Sequence, residues 1–285
     1  MQFFALFCLH EYFLFATLRL AIINVEGNFQ KMLFEERANY ILKKLEQENL
    51  VKTNDLVEEM NVSIDTIRRD LRKLEEEGKV TCIRGGACAS EEALQYSPFF
   101  GRQIVNEDLK REAAQKALSL IHSENIIALN AGTTNSILAE ELLKLKKHIT
   151  VVTNNLSVLS TLTASEYIDL IVPGGTVDKQ ELSLCGCGCV EELSTYSFDL
   201  SFLSINAFHP SYGFSDFRFQ EIDIMKAMIS HSKKNIALMD THKFNKVSKK
   251  IFMSPREVDL LITDASLDDI TRNQITESGL SIYEP

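Results

Sequence analysis

After Asp108, short apolar runs alternate with helical patterns, and this alternation leaves few folds open to the chain. Apolar stretches at 126–130, 150–153, 168–172, 200–205, 235–239 and 260–263 read as strands. Helical spacing occupies 108–122, 135–145, 156–163 and 221–232. The expected product is an α/β domain around a mostly parallel sheet. The chain's 285 residues suffice for about two domains of roughly 100–200 residues each. With 45% hydrophobic and 25% charged residues, its composition is that of a globular protein, neither disordered nor repetitive.

The residues before this domain follow a different plan. Phe34, Arg37, Ala38, Ile41, Leu42 and Leu45 are spaced for a helix over 35–48. Thr53 is placed to cap a short helix over 54–60, with Leu56, Val57 and Met60 inward. Ser63 then caps a third helix running to about residue 77, with Ile64, Ile67, Leu71 and Leu74 on one stripe. Gly78 stops it, and 80–87 reads as a small hairpin or wing.

Two short helices joined by a tight turn can present the second to a major groove. Here that helix turns Asp65, Thr66, Arg68, Arg69, Arg72 and Lys73 outward. Arginine can bond guanine O6 and N7 bidentately, or bond phosphate. Lys79 and Arg84 fall where a wing would touch the backbone. The alternative is a solvated basic face with pairs such as Asp65–Arg69. The element order favours DNA: helix, short helix, capped helix bearing Arg-Arg, glycine hairpin. A formal net charge of −10 does not oppose this, because only the footprint must be basic.

Three polar or glycine-rich turns follow predicted strands: Gly132-Thr133-Thr134, Thr153-Asn154-Asn155 and Gly174-Gly175-Thr176. Open α/β sheets bind ligands at the carboxyl ends of their strands. Glycine lets the backbone approach a ligand, and hydroxyls at a helix start suit an anion. Each turn alone could be no more than a turn and an N-cap; all three together favour a shared pocket.

Cys185-Gly-Cys187-Gly-Cys189 has C-x-C-x-C spacing, not the paired C-x-x-C of zinc sites. On a strand the three thiols could line one face; small residues packed in a strand or turn are the other reading. A metal or redox site on the three thiols is the alternative to such packing; the six histidines show no ligand spacing, and no Ser-His-Asp arrangement is evident. Residues 1–31 are strongly apolar but interrupted by His10, Glu11 and Arg19. Three readings stand: translated upstream sequence with Met32 as the start, an amphipathic oligomerisation helix, or a membrane anchor.

Residues 32–87 resemble the DeoR family of bacterial regulators. The resemblance rests on Glu36-Arg37 with Ile41-Leu42, on Val62-Ser63-x-x-Thr66-Ile67-Arg68-Arg69-Asp70-Leu71, on Leu74-Glu75-x-x-Gly78, and on Gly85-Gly86-Ala87. It implies that the third helix enters the operator, with Ser63, Thr66, Arg68 and Arg69 in that role; Arg72, Lys73 and Arg84 join them as DNA-contacting candidates. Cys82 and Arg84 stand where the family has Arg and His, so the wing contacts are altered.

The second half is similar to the family's sensor domain, itself like ribose-5-phosphate isomerase in fold. The matches are Gly132-Thr133-Thr134, Val152-Thr153-Asn154-Asn155, Gly174-Gly175, Phe198-Asp199-Leu200, Asp240-x-x-Lys243-Phe244 and Thr263-Asp264. They imply a sugar-phosphate or related effector and oligomerisation through this domain. Gly132, Thr133, Thr134, Thr153, Asn154, Asn155, Gly174, Gly175, Glu221 and Lys243 become candidates for effector binding. The chain departs at 204–209, and at Arg218-x-x-Glu221-Ile222-x-x-Met225, where an acid and a lysine are replaced. Those losses argue against isomerase chemistry, which needs a positioned acid and base. Arg218 would recruit an extra anion or sit in an ion pair, and Lys243 would bind the anion or pair with Asp240.

The expected organisation is a winged helix-turn-helix over 32–88, a linker over 89–107 and an effector-sensing α/β domain over 108–285. The expected protein is a cytoplasmic regulator, a repressor by analogy, without cofactor or metal. It would bind double-stranded operator DNA and a phosphorylated effector as a homodimer or homotetramer, with no membrane partner. The alternatives are an isomerase-like sugar-phosphate enzyme with a DNA-binding appendage and, if residues 1–25 are translated, a membrane-tethered regulator.

Overall fold

The computed structural model describes residues 33–48, 50–83, 85–89 and 99–284. The readings for residues 1–31 and for Arg84 lie outside them. The chain divides into two compact units, Met1–Ser97 and Pro98–Pro285.

The first unit runs α1 (Phe34–Glu48), β1 (Leu50–Lys52), α2 (Thr53–Met60), α3 (Ile64–Glu76), β2 (Thr81–Ile83) and β3 (Gly86–Cys88). Its core is built at helical spacing: Ala38, Ile41 and Leu45 of α1, Leu56 and Met60 of α2, and Ile67, Leu71 and Leu74 of α3. Val51, Val80 and Ala87 close it from the strands. Asn61 ends α2 in the left-handed conformation, φ 49°. Ser63 caps α3 by accepting from the Thr66 backbone N–H at 3.2 Å.

Three local expectations change. Thr53 is the first residue of α2, not its cap. Ile64 is 38% exposed, while Asp70 lies buried on the inner side of α3. Arg37 of α1 explains that burial: its Nε and Nη2 donate to both oxygens of Asp70, at 2.6 and 3.0 Å. The wing also gains a strand, because β1 pairs antiparallel with β3, giving the order β1-β3-β2. Gly86 permits this approach; a Cβ there would lie 2.0 Å from the Val51 carbonyl oxygen.

The second unit begins with α4 (Phe99–Ile104) and α5 (Glu107–Ala117). Residues 99–104 are therefore helical and not connector, with Phe99 buried. Then follow β4 (Ile126–Leu129), α6 (Thr133–Leu142), β5 (Ile149–Thr153), α7 (Leu156–Leu162), β6 (Ile168–Ile171), β7 (Thr176–Asp178), β8 (Ser183–Cys185) and α8 (Cys187–Leu193). The remainder is β9 (Leu200–Ser204), β10 (Ala207–His209), β11 (Gly213–Asp216), α9 (Phe219–Ser230), β12 (Asn235–Leu238), β13 (Lys250–Met253), β14 (Leu260–Ile262) and α10 (Asp269–Glu277).

Six strands form one parallel sheet in the order β14-β12-β9-β4-β5-β6. Successive strand residues point to opposite faces, so each strand feeds two cores. Ile127, Leu129, Val151, Phe202, Ile236 and Ile262 pack with Ala113, Ala117, Ile137, Leu138, Val158 and Leu162 of α5, α6 and α7. Ala128, Val152, Leu203, Ala237 and Leu261 pack with Cys189 and Leu193 of α8, Ile222 and Met225 of α9, and Ile275 of α10. Truncating a residue such as the fully buried Phe202 to alanine would cost about 3–5 kcal/mol. From β4 the order runs outward to β5 and β6 one way and to β9, β12 and β14 the other, so it reverses between β4 and β9.

The C-x-C-x-C run is not one strand. Cys185 ends β8, Gly186 is the N-cap, and Cys187 begins α8. Cys185 and Cys189 are buried, and Cys187 is exposed. No group of three His, Cys, Asp or Glu among the described residues could hold a metal ion.

Candidate functional site

In the first unit the outer face of α3 carries the candidate DNA residues. Arg68, Arg69, Arg72, Lys73 and Ser63 are exposed and Thr66 is half-buried. The buried Ile67, Leu71 and Leu74 turn this face away from the core. Ser63 Oγ lies 2.8 Å from Thr66 Oγ1, so these two hydroxyls are coupled at the start of the helix. Arg68 has only a loose contact to Asp65, at 3.8 Å between exposed groups. Lys73 differs: its Nζ sits 3.8 Å over the Phe34 ring, turned toward the protein's own body. In the wing, Lys79 pairs with Glu77 at 2.8 Å, and the Cys82 backbone N–H donates to Glu75 at 2.7 Å.

In the second unit two of the three predicted turns meet at the strand ends. Gly132 is the N-cap of α6, with φ 151° and no side chain to satisfy the first turn. A Cβ on it would lie 2.3 Å from Ser204 Oγ, so the turn after β4 fits only glycine. Asn155 binds this turn from the next strand: its Nδ2 donates to the Gly132 carbonyl and to Ser136 Oγ, each at 3.2 Å. Its Oδ1 accepts from the backbone N–H groups of Ser157 and Val158, which caps α7. Thr153 Oγ1 donates to the Leu129 carbonyl at 2.6 Å. The two helix starts therefore differ. The N-terminus of α7 is closed by Asn155, whereas that of α6 has Thr133 and Thr134 and no side-chain cap.

The third turn goes elsewhere. Gly174 donates to Glu192 at 2.8 Å, and Gly175 packs against Cys185 and Cys189. These glycines seat the 174–175 loop on β8 and α8 and are not bonded to the Gly132 turn.

Glu221 sits beneath the Gly132 turn from the first turn of α9. Its Oε1 accepts the Ala131 N–H at 2.8 Å and its Oε2 accepts Asn154 Nδ2 at 2.9 Å. Burial raises its pKa to about 7, with Arg218 and the donors from Asn154, Asn130 and Ala131 working against that rise. Asn154 Oδ1 has no hydrogen-bond partner. Lys243 lies at the rim, with its side chain 18% exposed. Its Nζ is 3.5 Å from Thr134 Oγ1 and 3.7 Å from Asp240 Oδ2, so both candidate partners are within reach. Burial lowers the Lys243 pKa, and Asp240 works against that.

Arg218 is ion-paired and enclosed, not a free anion hook. Its Nε donates to Asp216 Oδ1 at 2.9 Å and its Nη2 to Asp216 Oδ2 at 2.6 Å. Nη1 donates to the Ala131 carbonyl at 2.7 Å and Nη2 to the Ser204 carbonyl at 3.0 Å. Asp216 is held in its charged form: burial opposes this, and Arg218 outweighs it. Asp216, Ser204 and Asn130 escape a reading of the sequence because no local pattern links them. Asn130 Oδ1 accepts from Asn135 Nδ2 and the Ser204 N–H, joining the ends of β4 and β9 across 74 positions.

A profile of the DeoR-like helix-turn-helix domain matches residues 37–93, and one of the DeoR C terminal sensor domain matches residues 105–265. Over 247 residues the chain is 30% identical to the HTH-type transcriptional regulator GolR of Listeria innocua, covering 87% of this chain and 97% of that protein. It is 28% identical over 230 residues to the glycerol-3-phosphate regulon repressor of Escherichia coli, covering 81% and 90%. Among solved structures, ribose 5-phosphate isomerase A from Methanocaldococcus jannaschii superposes on 49% of this chain and 55% of its own, with 17% identity and a TM-score of 0.37.

Proposed function

This chain belongs to the DeoR family of DNA-binding transcriptional regulators, and from that premise we propose that it represses carbohydrate-metabolism genes until a phosphorylated metabolite binds its second unit. The observation that carries the DNA half is the free cationic face of α3. Arg68, Arg69 and Arg72 project from a helix whose opposite stripe is fully engaged in the core. In a major groove, Ser63 and Thr66 at the helix start would meet backbone or base edges, and Arg68, Arg69 and Arg72 would read bases or bind phosphate. Lys73 and the wing residue Arg84 would add backbone contacts, which position the protein without reading sequence.

The effector half rests on the uncapped start of α6. Its first N–H groups and dipole favour negative charge, and Thr133, Thr134 and Lys243 add donors of matching sign. Gly132, Thr153, Asn154, Asn155 and Glu221 hold this turn, and Gly174 and Gly175 act at one remove through β8 and α8. A regulator is the preferred reading over an isomerase, whose chemistry needs a positioned acid and base free to act. Glu221, the carboxyl group nearest the turn, is committed to Ala131 and Asn154, and Arg218 and Asp216 are committed to each other. The relatives' names give the direction: the Escherichia coli protein is a repressor of a glycerol-3-phosphate regulon.

Such a protein would work in the cytoplasm as a dimer or tetramer, so that paired α3 helices read repeated half-sites. Among the described residues no helix is long and apolar enough to cross a membrane. The effector and operator sites would communicate by linkage, one ligand shifting the affinity for the other. The test is selection of genomic fragments by the purified full chain, followed by binding titrations with and without phosphorylated metabolites. Release of a selected fragment by a phosphorylated compound, and not by its unphosphorylated parent, is the expected result. Fragment binding that no phosphorylated compound alters would remove the effector half of the reading.

A further inference from the structure

We propose that Ile64 is a specificity-determining residue of α3: its exposed side chain packs on the C5-methyl group of a thymine in the major groove of the operator. This rests on the reading above that α3 enters that groove.

The apolar residues around the start of α3 divide into two kinds. Ile67, Leu71 and Leu74 fill the core, and Val62, just before the cap, packs against it. Ile64 does neither. It is 38% exposed and does not join the core of its unit, even as a partly buried neighbour. Leu33 and Tyr40 are the other large apolar side chains left exposed among the described residues of this unit, and the Tyr40 hydroxyl donates to Glu59 at 3.1 Å. A single exposed isoleucine is ordinary on a protein surface. This one is the first residue of α3, and the first residues of a helix lying in the groove are those that reach base edges.

The neighbours of Ile64 are polar. Ser63 and Asp65 are exposed beside it, and the Ser63 and Thr66 hydroxyls, 2.8 Å apart, hold the turn that carries it. Arg68 lies four positions on, so the two side chains stand on one side of the helix, about 6 Å apart along its axis. Base pairs stack at about 3.4 Å, which places the two contacts within about two base pairs of each other. Of the groups that base edges present in the major groove, the thymine methyl is the apolar one. The others are donors and acceptors, and an isoleucine side chain set against them would strip their water without replacing it. Branching at Cβ also leaves isoleucine one strongly preferred χ1 in a helix, so the contact freezes little side-chain motion. Ile64 therefore selects for T·A at one position, next to whatever Arg68 meets.

The test uses the full chain and a duplex cut from a genomic fragment that it selects. Each thymine is replaced in turn by deoxyuridine, which removes the methyl group and leaves every hydrogen-bonding group in place. Affinities are read by anisotropy at one salt concentration. For the wild type, one thymine per half-site should show a loss of about fourfold or more, the worth of one buried methyl-sized group. Ile64→Ala should bind the thymine and deoxyuridine duplexes equally, and Ile64→Val should keep most of the difference. Ile64→Ala should also unfold at the wild-type midpoint; a marked fall would make Ile64 a core residue and overturn the proposal. A wild type indifferent to every replacement overturns it, as does an undiminished loss in Ile64→Ala, since another residue would then read the methyl. If Arg68→Ala and Arg69→Ala both leave the affinity for the unmodified duplex unchanged, the placement of α3 in the groove fails, and this inference fails with it.

Discussion

Replacing Arg37 with alanine should destabilise the DNA-binding unit without touching its DNA-facing residues. The Arg37 guanidinium grips both oxygens of Asp70, at 2.6 and 3.0 Å, tying α1 to α3. The Asp70 side chain is 4% exposed and that of Arg37 is 13% exposed. Little water can therefore take over the lost partner. Breaking a buried pair by removing one member costs about 3–5 kcal/mol, because the other charge stays enclosed. The slight exposure of Arg37 places this case near the lower end, at about 3 kcal/mol. For a domain of this size that corresponds to a drop on the order of 10–20 °C in the unfolding midpoint. Calorimetry on the full chain, with hydrogen exchange to assign the transition to α1–α3, reads the effect. Replacing both partners, Arg37→Met with Asp70→Leu, should recover most of the loss, since no charge is then stranded. A loss under about 1 kcal/mol for Arg37→Ala would refute the account, being no more than a surface ion pair is worth. So would a double variant as unstable as the single.

Four further outcomes follow from the same structure. Arg69→Ala should weaken binding to a selected DNA site by about 1–3 kcal/mol in a salt-controlled anisotropy titration, while the unfolding midpoint stays where it was. Glu221 has its pKa raised to about 7 by burial, so its stabilising contribution is full below the unfolded value near 4.3 and lost as pH rises through 7. Wild type should thus lose about 3 kcal/mol relative to Glu221→Gln between pH 4.5 and 7.5 in urea melts, and parallel curves would count against it. Gly132→Ala should destabilise the second unit by about 1–3 kcal/mol, from the positive φ and the Cβ contact with Ser204 Oγ, again by urea melt. Among the thiols of Cys185, Cys187 and Cys189, only Cys187 should alkylate rapidly in the native protein. The other two are buried, and burial pushes the Cys189 pKa up to about 12; mass spectrometry of the peptides decides it.

Much of the DNA-binding unit is legible in the sequence. The spacing of Ile67, Leu71 and Leu74 fixes which side of α3 faces inward, and hence that Arg68, Arg69 and Arg72 face out. Ser63 as a cap follows from local backbone chemistry. Asp70 was not legible as a buried charge, because its partner Arg37 lies 33 positions away on another helix. Strand β1 was hidden for a similar reason: its three residues become a strand only by pairing with β3. The hairpin β7–β8 and the small sheet β10-β11-β13 are likewise too short to carry a period of their own.

The candidate effector site divides the same way. The turns after β4 and β5 stand out by their Gly-Thr-Thr and Thr-Asn-Asn strings, and the sequence alone puts both at strand ends. It could not tell that Asn155 closes α7 while α6 stays uncapped, nor that the 174–175 loop packs onto α8 instead. Least of all could it show that Arg218 threads back to the carbonyls of Ala131 and Ser204, at sequence distances of 87 and 14. Periodicity and capping act over a few residues, so the sequence by itself determined the longer elements, most of their inward faces and the family resemblance. Which charges are buried together, and which helix end stays open, depends on contacts between residues far apart in the chain, and only the packed tertiary structure brings those into range.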